Sequence, residues 1–434
     1  MVTINIGSIG SGARQISSSL ESVQHGIQRS GVGFWAFYQF GFSTGSFFGN
    51  EYKESPIGEW AGPIEKTLFY GAGDNEFAVQ KVLQSGTTFY LFGDLRTSYY
   101  ASGPMITWTI PSSGVVATSG AVQWIIQTSG HDRDAYQTAM LSSDSNFWVA
   151  KGNILKTENV HGVDVFTSAI QVFRNPNNLD ISGAAFNKVS FTTGSQTTDS
   201  TRQFYSLAAL PGGSALLVYG RPNTNSTSSF VSVGSAVHYR VIDSGLGLGT
   251  EQLFDAEGFE FGNVLTQLNK GMINCIHDTN YNAHVAWLGS GSPHNIYYKN
   301  FTGGATLGVR RTIATASGLS QPAITIDNTD QTAYIVYASH YAGHVYIVSG
   351  GSPWSSFGII GSVSQTFSNL SITVGTFFPS ITEPSQSSGT ISFLGMGSPV
   401  ATGSFPLFVY YDFMITGAAL TTDFHPMHLI SYNF

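Results

Sequence analysis

The chain has 434 residues, of which 42% are hydrophobic, 13% aromatic and only 10% charged, with a net charge of −8 and a pI near 5.7. The apolar fraction predicts a folded core, and the aromatic content excludes an intrinsically disordered chain. The acidic balance, with Arg310-Arg311 as the longest basic cluster, excludes the basic stripe that nucleic-acid binding needs.

In chain order, the first signal is a stripe. Ile16, Leu20, Val23 and Ile27 recur at spacings of 4, 3 and 4, which predicts one apolar face of a short helix with Ser11 placed to cap it. Such a helix either packs on the outside of the fold or serves as an attachment or oligomerisation element. Residues 1–30 are therefore set apart as an attachment or capping segment, and 31–434 as a single domain.

A recurring apolar run follows. Phe34–Tyr38, Phe89–Gly93, Phe147–Ala150, Leu216–Gly220, His284–Gly289, Tyr334–Ala338 and Ile391–Gly395 start 55, 58, 69, 68, 50 and 57 residues apart. In the sixth module, Ala323–Ile326 and Ala333–Ser339 flank the turn chemistry of Asp327-Asn328-Thr329-Asp330, and His344–Ser349 and Phe357–Val363 complete four strands. The fifth module reads likewise as Met272–His277, Ala283–Leu288, Asn295–Phe301 and Leu307–Ala314. Third strands are expected at Pro104–Ile110, Val163–Ala169, Ala236–Asp243 and Phe405–Phe413.

A lone four-stranded sheet cannot bury both apolar faces, whereas sheets stacked radially bury each on the next. The expected fold is all-β: a seven-bladed β-propeller, with six or eight blades if one degenerate module is miscounted. If the N-terminal stripe is helical, the first blade needs an inner strand from elsewhere. Either Val2–Ile6 or His428–Asn433 could supply it.

The sequence offers little enzymatic chemistry. Cys275 is the single cysteine, so no internal disulfide or cysteine-based metal site is expected, and it reads as a small buried hydrophobe. Gly245-Leu246-Gly247-Leu248-Gly249 precedes no helical pattern and reads as a turn rather than a phosphate loop. His340 and His344 flank a tight turn and lack the further ligands a metal needs. No cofactor is expected. The N-terminus lacks the pattern of a secretion signal, and no apolar run is long enough for membrane insertion.

Candidate binding residues fall on loops that meet at one end of such a ring. They are Asp94 and Arg96 with Tyr99 and Tyr100; His131, Asp132, Arg133 and Asp134; Arg221; His294; and His340 with Tyr341. Asp255, Glu257 and Glu260 lie between modules four and five. Aromatic rings beside Asp and Arg suit sugars, whose CH faces stack while hydroxyls take bidentate hydrogen bonds. A glycosidase would instead need two facing carboxylates, for which Asp94, Asp132, Asp134 and Glu257 are available.

The module pattern resembles the sialidase-like β-propellers. Ser142-Ser143-Asp144-Ser145-Asn146-Phe147-Trp148 comes near their Asp-box turn but lacks its Gly and Thr, and the family's Arg-Ile-Pro motif is absent. The resemblance implies three arginines holding a carboxylate, and Arg96, Arg133 and Arg221 stand on the matching loops. The low charge and the Ser/Thr/Gly-rich turns also resemble viral spike and fibre proteins. The chain is accordingly expected at a virion surface as a spike or receptor-binding component. Its expected partners are host cell-surface glycans or proteins, other virion proteins, or a second copy of itself. A structural assembly propeller and a sialidase-like glycan hydrolase are the alternatives.

Overall fold

The computed structural model describes residues 3–8, 27–29, 34–39, 46–53, 59–60, 64–67, 76–85, 88–96, 101–109, 122–127, 137–160, 163–175, 187–196, 204–220, 233–234, 236–257, 259–260, 273–289, 293–316, 322–327, 330–339, 344–364, 371–374, 379–382, 389–393, 407–415 and 428–433. Among them the only helical element is a single 3-10 turn, Pro211–Gly213. The strands assort into seven antiparallel sheets that follow one another along the chain. Sheets two, three, four and six are four-stranded up-and-down meanders.

Sheet six comprises Ala323–Asp327, Thr332–Ser339, His344–Gly350 and Gly358–Ser364, close to the strands expected from sequence. Sheet five is built on Ile273–His277, Ala283–Gly289, His294–Thr302 and Arg311–Ala316. Its expected last strand is interrupted: Thr306–Leu307 pairs first, and pairing resumes only at Arg311. Gly308 lies at the break, against the Asn300 side chain, where a Cβ would collide with the amide.

The layout is propeller-like, and the second strand of each sheet shows why. Ala215–Gly220 is buried at every position, as is Ala283–Gly289. Alternate residues of a strand point to opposite faces. Leu217 and Tyr219 enter a core with Trp148, Ala150 and Ile170 of sheet three (Gln137–Leu141, Phe147–Val160, Val163–Arg174, Asn187–Gln196). Leu216 and Val218, one residue out of phase, enter a different core with Cys275, Val285 and Trp287 of sheet five. Ala286 and Leu288 then turn to a third core with Ile324, Ile335 and Val348 of sheet six. On the other side, Phe147 and Val149 pack on Tyr90 and Phe92 of sheet two (Glu76–Ser85, Thr88–Arg96, Ala101–Thr109, Val122–Gln127). Inner sheets thus have both faces covered, as radial stacking requires and a two-layer sandwich does not.

Sheet four is Phe204–Ala209, Ala215–Gly220, Val237–Ile242 and Gln252–Asp255. First strands of successive sheets touch one another from sheet two to sheet six, and polar bonds stitch them. Ser143 Oγ donates to the Leu210 carbonyl (3.2 Å) and accepts the Gly213 N–H (2.8 Å), joining sheets three and four. The Cys275 N–H donates to Ser206 Oγ (3.1 Å), joining four and five. Asn274 Nδ2 donates to the Pro322 carbonyl (2.6 Å), joining five and six.

The hairpin between first and second strands is a recurring device. In 142–146 and 278–282 the first residue donates its N–H to the carbonyl of the fifth and accepts that of the fourth. The fourth residue is left-handed in both, Ser145 at φ 60° and Tyr281 at φ 58°. Asp278 Oδ1 accepts the N–H groups of Asn280 and Asn282, both at 2.8 Å, so the side chain holds the turn. Asp243 does the same for Gly245 and Gly247, which confirms the glycine-rich 245–249 stretch as a turn.

The N-terminal expectation needs correction. Ile27 is not helical: it opens strand Ile27–Arg29, which pairs with Phe34–Gln39. A hairpin with a partner so close in sequence forms at less cost than an isolated short helix. The first sheet therefore takes its inner strand locally. Both segments proposed to supply that strand instead pair with each other, Thr3–Ser8 against His428–Asn433, at the edge of the seventh sheet. Ser11 and residues 16–23 lie outside the described residues.

Candidate functional site

In each meander the second strand ends where the third begins and the fourth ends. The register shows this: Arg96 pairs with Ala101, Val237 with both Gly220 and Asp255, His294 with both Gly289's neighbour strand and Ala316, and His344 with both Ser339 and Ser364. Connections leaving this edge carry all the binding residues expected from sequence.

Asp94 and Arg96 stand in the last turns of the pleat of Thr88–Arg96, opposite Ala78 and Glu76. His294 opens the third strand of sheet five, where burial holds its imidazole below the usual histidine range. Tyr99, Tyr100, His131, Asp132, Arg133, Asp134, Arg221, His340 and Tyr341 lie outside the described residues. Of the arginines matched to the sialidase triad, Arg96 alone is described, in its backbone.

Two connections at this edge are knitted together. Val233–Gly234, from the second-to-third connection of sheet four, pairs with Phe259–Glu260, from the connection between sheets four and five. Phe259 in turn pairs with Gly289 at the end of the second strand of sheet five. Sheet five is thereby extended toward this edge by segments that belong to neither of its hairpins.

Beneath the ribbon lies an ion cluster that joins sheets four and five. The Asp255 carboxylate is buried, with Arg310 Nη1 donating to Oδ1 at 2.7 Å and Lys299 Nζ to Oδ2 at 3.3 Å. Oδ1 also accepts the Glu257 N–H at 3.0 Å. Arg310 reaches Glu257 Oε1 at 3.4 Å and lies 4.6 Å over the Tyr297 ring. Lys299 also donates to the Phe254 carbonyl and lies 5.3 Å from that ring. Glu257 is thus not a free hydrolytic carboxylate, as the glycosidase alternative needs, because its charge faces a guanidinium. The sequence reading set aside Arg310 and did not consider Lys299. The usable signal was a pair of cations on the module that follows an acidic connection.

A second polar group was missed entirely. Asp278, His284 and Tyr298 are buried where sheet five meets sheet six. His284 Nε2 lies 3.5 Å from Asp278 Oδ2, and His284 Nδ1 lies 2.7 Å from the Tyr298 hydroxyl. Asp278 Oδ2 also accepts from Asn282 Nδ2 at 2.8 Å. Burial raises the Asp278 pKa, but hydrogen bonds from His284 and Asn282 outweigh it and hold the carboxyl below its usual range. Burial pushes the His284 imidazole down despite the neighbouring carboxylate, and pushes the Tyr298 phenol up. The clue in sequence was a histidine opening a strand that is otherwise wholly apolar.

No family's sequence pattern matches the chain, and no curated protein matches it. Among solved structures it is similar to Trypanosoma rangeli sialidase in complex with the inhibitor DANA, at 10% identity over 85% of this chain and 56% of that one, with a TM-score of 0.39. It is also similar to AofleA from Arthrobotrys oligospora, at 11% identity over 84% and 91% of the two chains, with a TM-score of 0.41. The catalytic domain of Coprinopsis cinerea GH62 α-L-arabinofuranosidase aligns at 8% identity over 96% and 98%, with a TM-score of 0.35. Likeness at this level transfers no residue and no activity.

Proposed function

We propose that the chain is a seven-bladed β-propeller that binds rather than catalyses, presenting the loops of one edge to a host surface glycan or protein as part of a virus particle. The paired ribbon of Val233–Gly234 and Phe259–Glu260 carries the reading, because it elaborates that edge beyond what the meander needs. Binding residues are disproportionately found on loops held by a rigid scaffold. The low charge of the chain fits a surface that meets carbohydrate through hydroxyl, amide and aromatic groups.

The test is a glycan array probed with the purified chain, followed by binding to whole host cells. Binding lost on Tyr99→Ala or Arg96→Ala, with thermal stability retained, is the expected result. A chain that binds no glycan and no cell surface overturns the reading. A docking role toward other particle proteins is the second reading. It is favoured by the exposed Leu253 and Ile359 on outermost strands and Val309 beside one. Co-purification with particle proteins in the absence of glycan binding selects it.

A further inference from the structure

We propose that Asp278, His284 and Tyr298 form an acid-sensitive latch between sheets five and six, holding them together while His284 is neutral and releasing them when it takes a second proton. The hydrogen-bonding pattern fixes the proton positions. Asp278 is an acceptor, so the Nε2 proton faces it, and Nδ1 is left to accept from the Tyr298 hydroxyl. A proton added at Nδ1 turns that nitrogen into a donor facing a donor, and the Tyr298 hydroxyl must turn away inside an apolar core.

The surroundings offer the new charge little. The titratable groups facing His284 are Asp278, from the hairpin of sheet five, and Tyr298, from its third strand. Asp278 already accepts from Asn280, from the Asn282 backbone and from the Asn282 side chain. Sheet six presents uncharged groups. Trp354 meets His284 edge to face at 4.6 Å, and Phe357 lies 4.7 Å from Tyr298. Trp354 is anchored in turn to sheet six, its Nε1 donating to the Gln331 carbonyl at 2.8 Å. A charged imidazole therefore works against the contact that ties the two sheets.

The sign follows from linkage. The imidazole is depressed in the folded chain, so the unfolded chain binds more protons below the ordinary histidine range, and stability is lost as pH falls through that range. The depressed Asp278 carboxyl adds a second loss in the same direction at lower pH.

The experiment is thermal unfolding of wild type and His284→Gln between about pH 7.5 and about pH 5, within the span where histidine changes charge. The Gln amide keeps a hydrogen bond and cannot titrate. Wild type is expected to lose about 2–4 °C more of Tm than the variant across this span. Equal losses overturn the proposal. Should His284→Gln fail to fold, NMR of the histidine rings in wild type decides. A His284 ring still neutral at about pH 5.5 in the folded chain supports the latch, and one that titrates at the ordinary histidine value without loss of Tm overturns it.

Discussion

Replacing Asp255 by Asn tests the clamp between sheets four and five. The substitution keeps the shape but removes the charge that Arg310 and Lys299 share, and it turns amide hydrogens toward two cations. Removing one partner of a buried ion pair costs about 3–5 kcal/mol, because the other is left uncompensated. Here the figure must be reduced. Arg310 is 34% exposed and keeps Glu257, while Lys299 at 11% keeps only the Phe254 carbonyl and ring. Solvent screens the first loss and not the second, so a net cost of about 2–3 kcal/mol is expected. Urea denaturation followed by tryptophan fluorescence is the assay. Trp287 shares the same interface and packs 5.7 Å from Phe254. A double-mutant cycle with Lys299→Met should return a coupling of about 1–2 kcal/mol, largely retained in high salt. If Asp255→Asn lies within about 0.5 kcal/mol of wild type, the clamp is a surface ion pair and the reasoning fails.

Two hairpins allow a paired prediction. Ser145 is exposed at φ 60°, so Ser145→Gly should stabilise the chain by about 0.5 kcal/mol, the left-handed strain relieved exceeding the added freedom of the unfolded chain. Gly213→Ala, at φ 74° in the next sheet's hairpin, should destabilise by about 1–3 kcal/mol, since its Cβ would meet Asp144 Oδ2 at 2.5 Å; denaturant midpoints check both. Trp287→Ala empties the largest side chain between sheets four and five and should cost about 3–5 kcal/mol, read from the same midpoints.

Much of this architecture could be read before any coordinates. The continuous apolar runs identified the second strands because those strands are covered on both faces, and a strand so placed loses its alternation. Asp278 and the 327–330 stretch marked hairpins because an Asp side chain can hold its own turn. The stripe ending at Ile27 misled, since three or four apolar residues at helical spacing do not outweigh a nearby strand partner. The interrupted last strand of sheet five was hidden because the collision of a Cβ at Gly308 with Asn300 depends on the pairing of remote residues. The ion cluster and the buried trio were hidden for a related reason. Lys299 meets Asp255, and His284 meets Trp354, only after neighbouring sheets stack, and strand periodicity carries no information about which side chains face across that gap.

The odd and even residues of one second strand belong to separate interiors, Leu217 with sheet three and Leu216 with sheet five. Inserting or deleting a single residue there would send each side chain into the wrong compartment and spoil two interiors at a stroke. Length changes are tolerable only between strands. The scaffold thereby confines variation to its connecting segments, where a recognition surface can diversify while the framework beneath keeps its spacing.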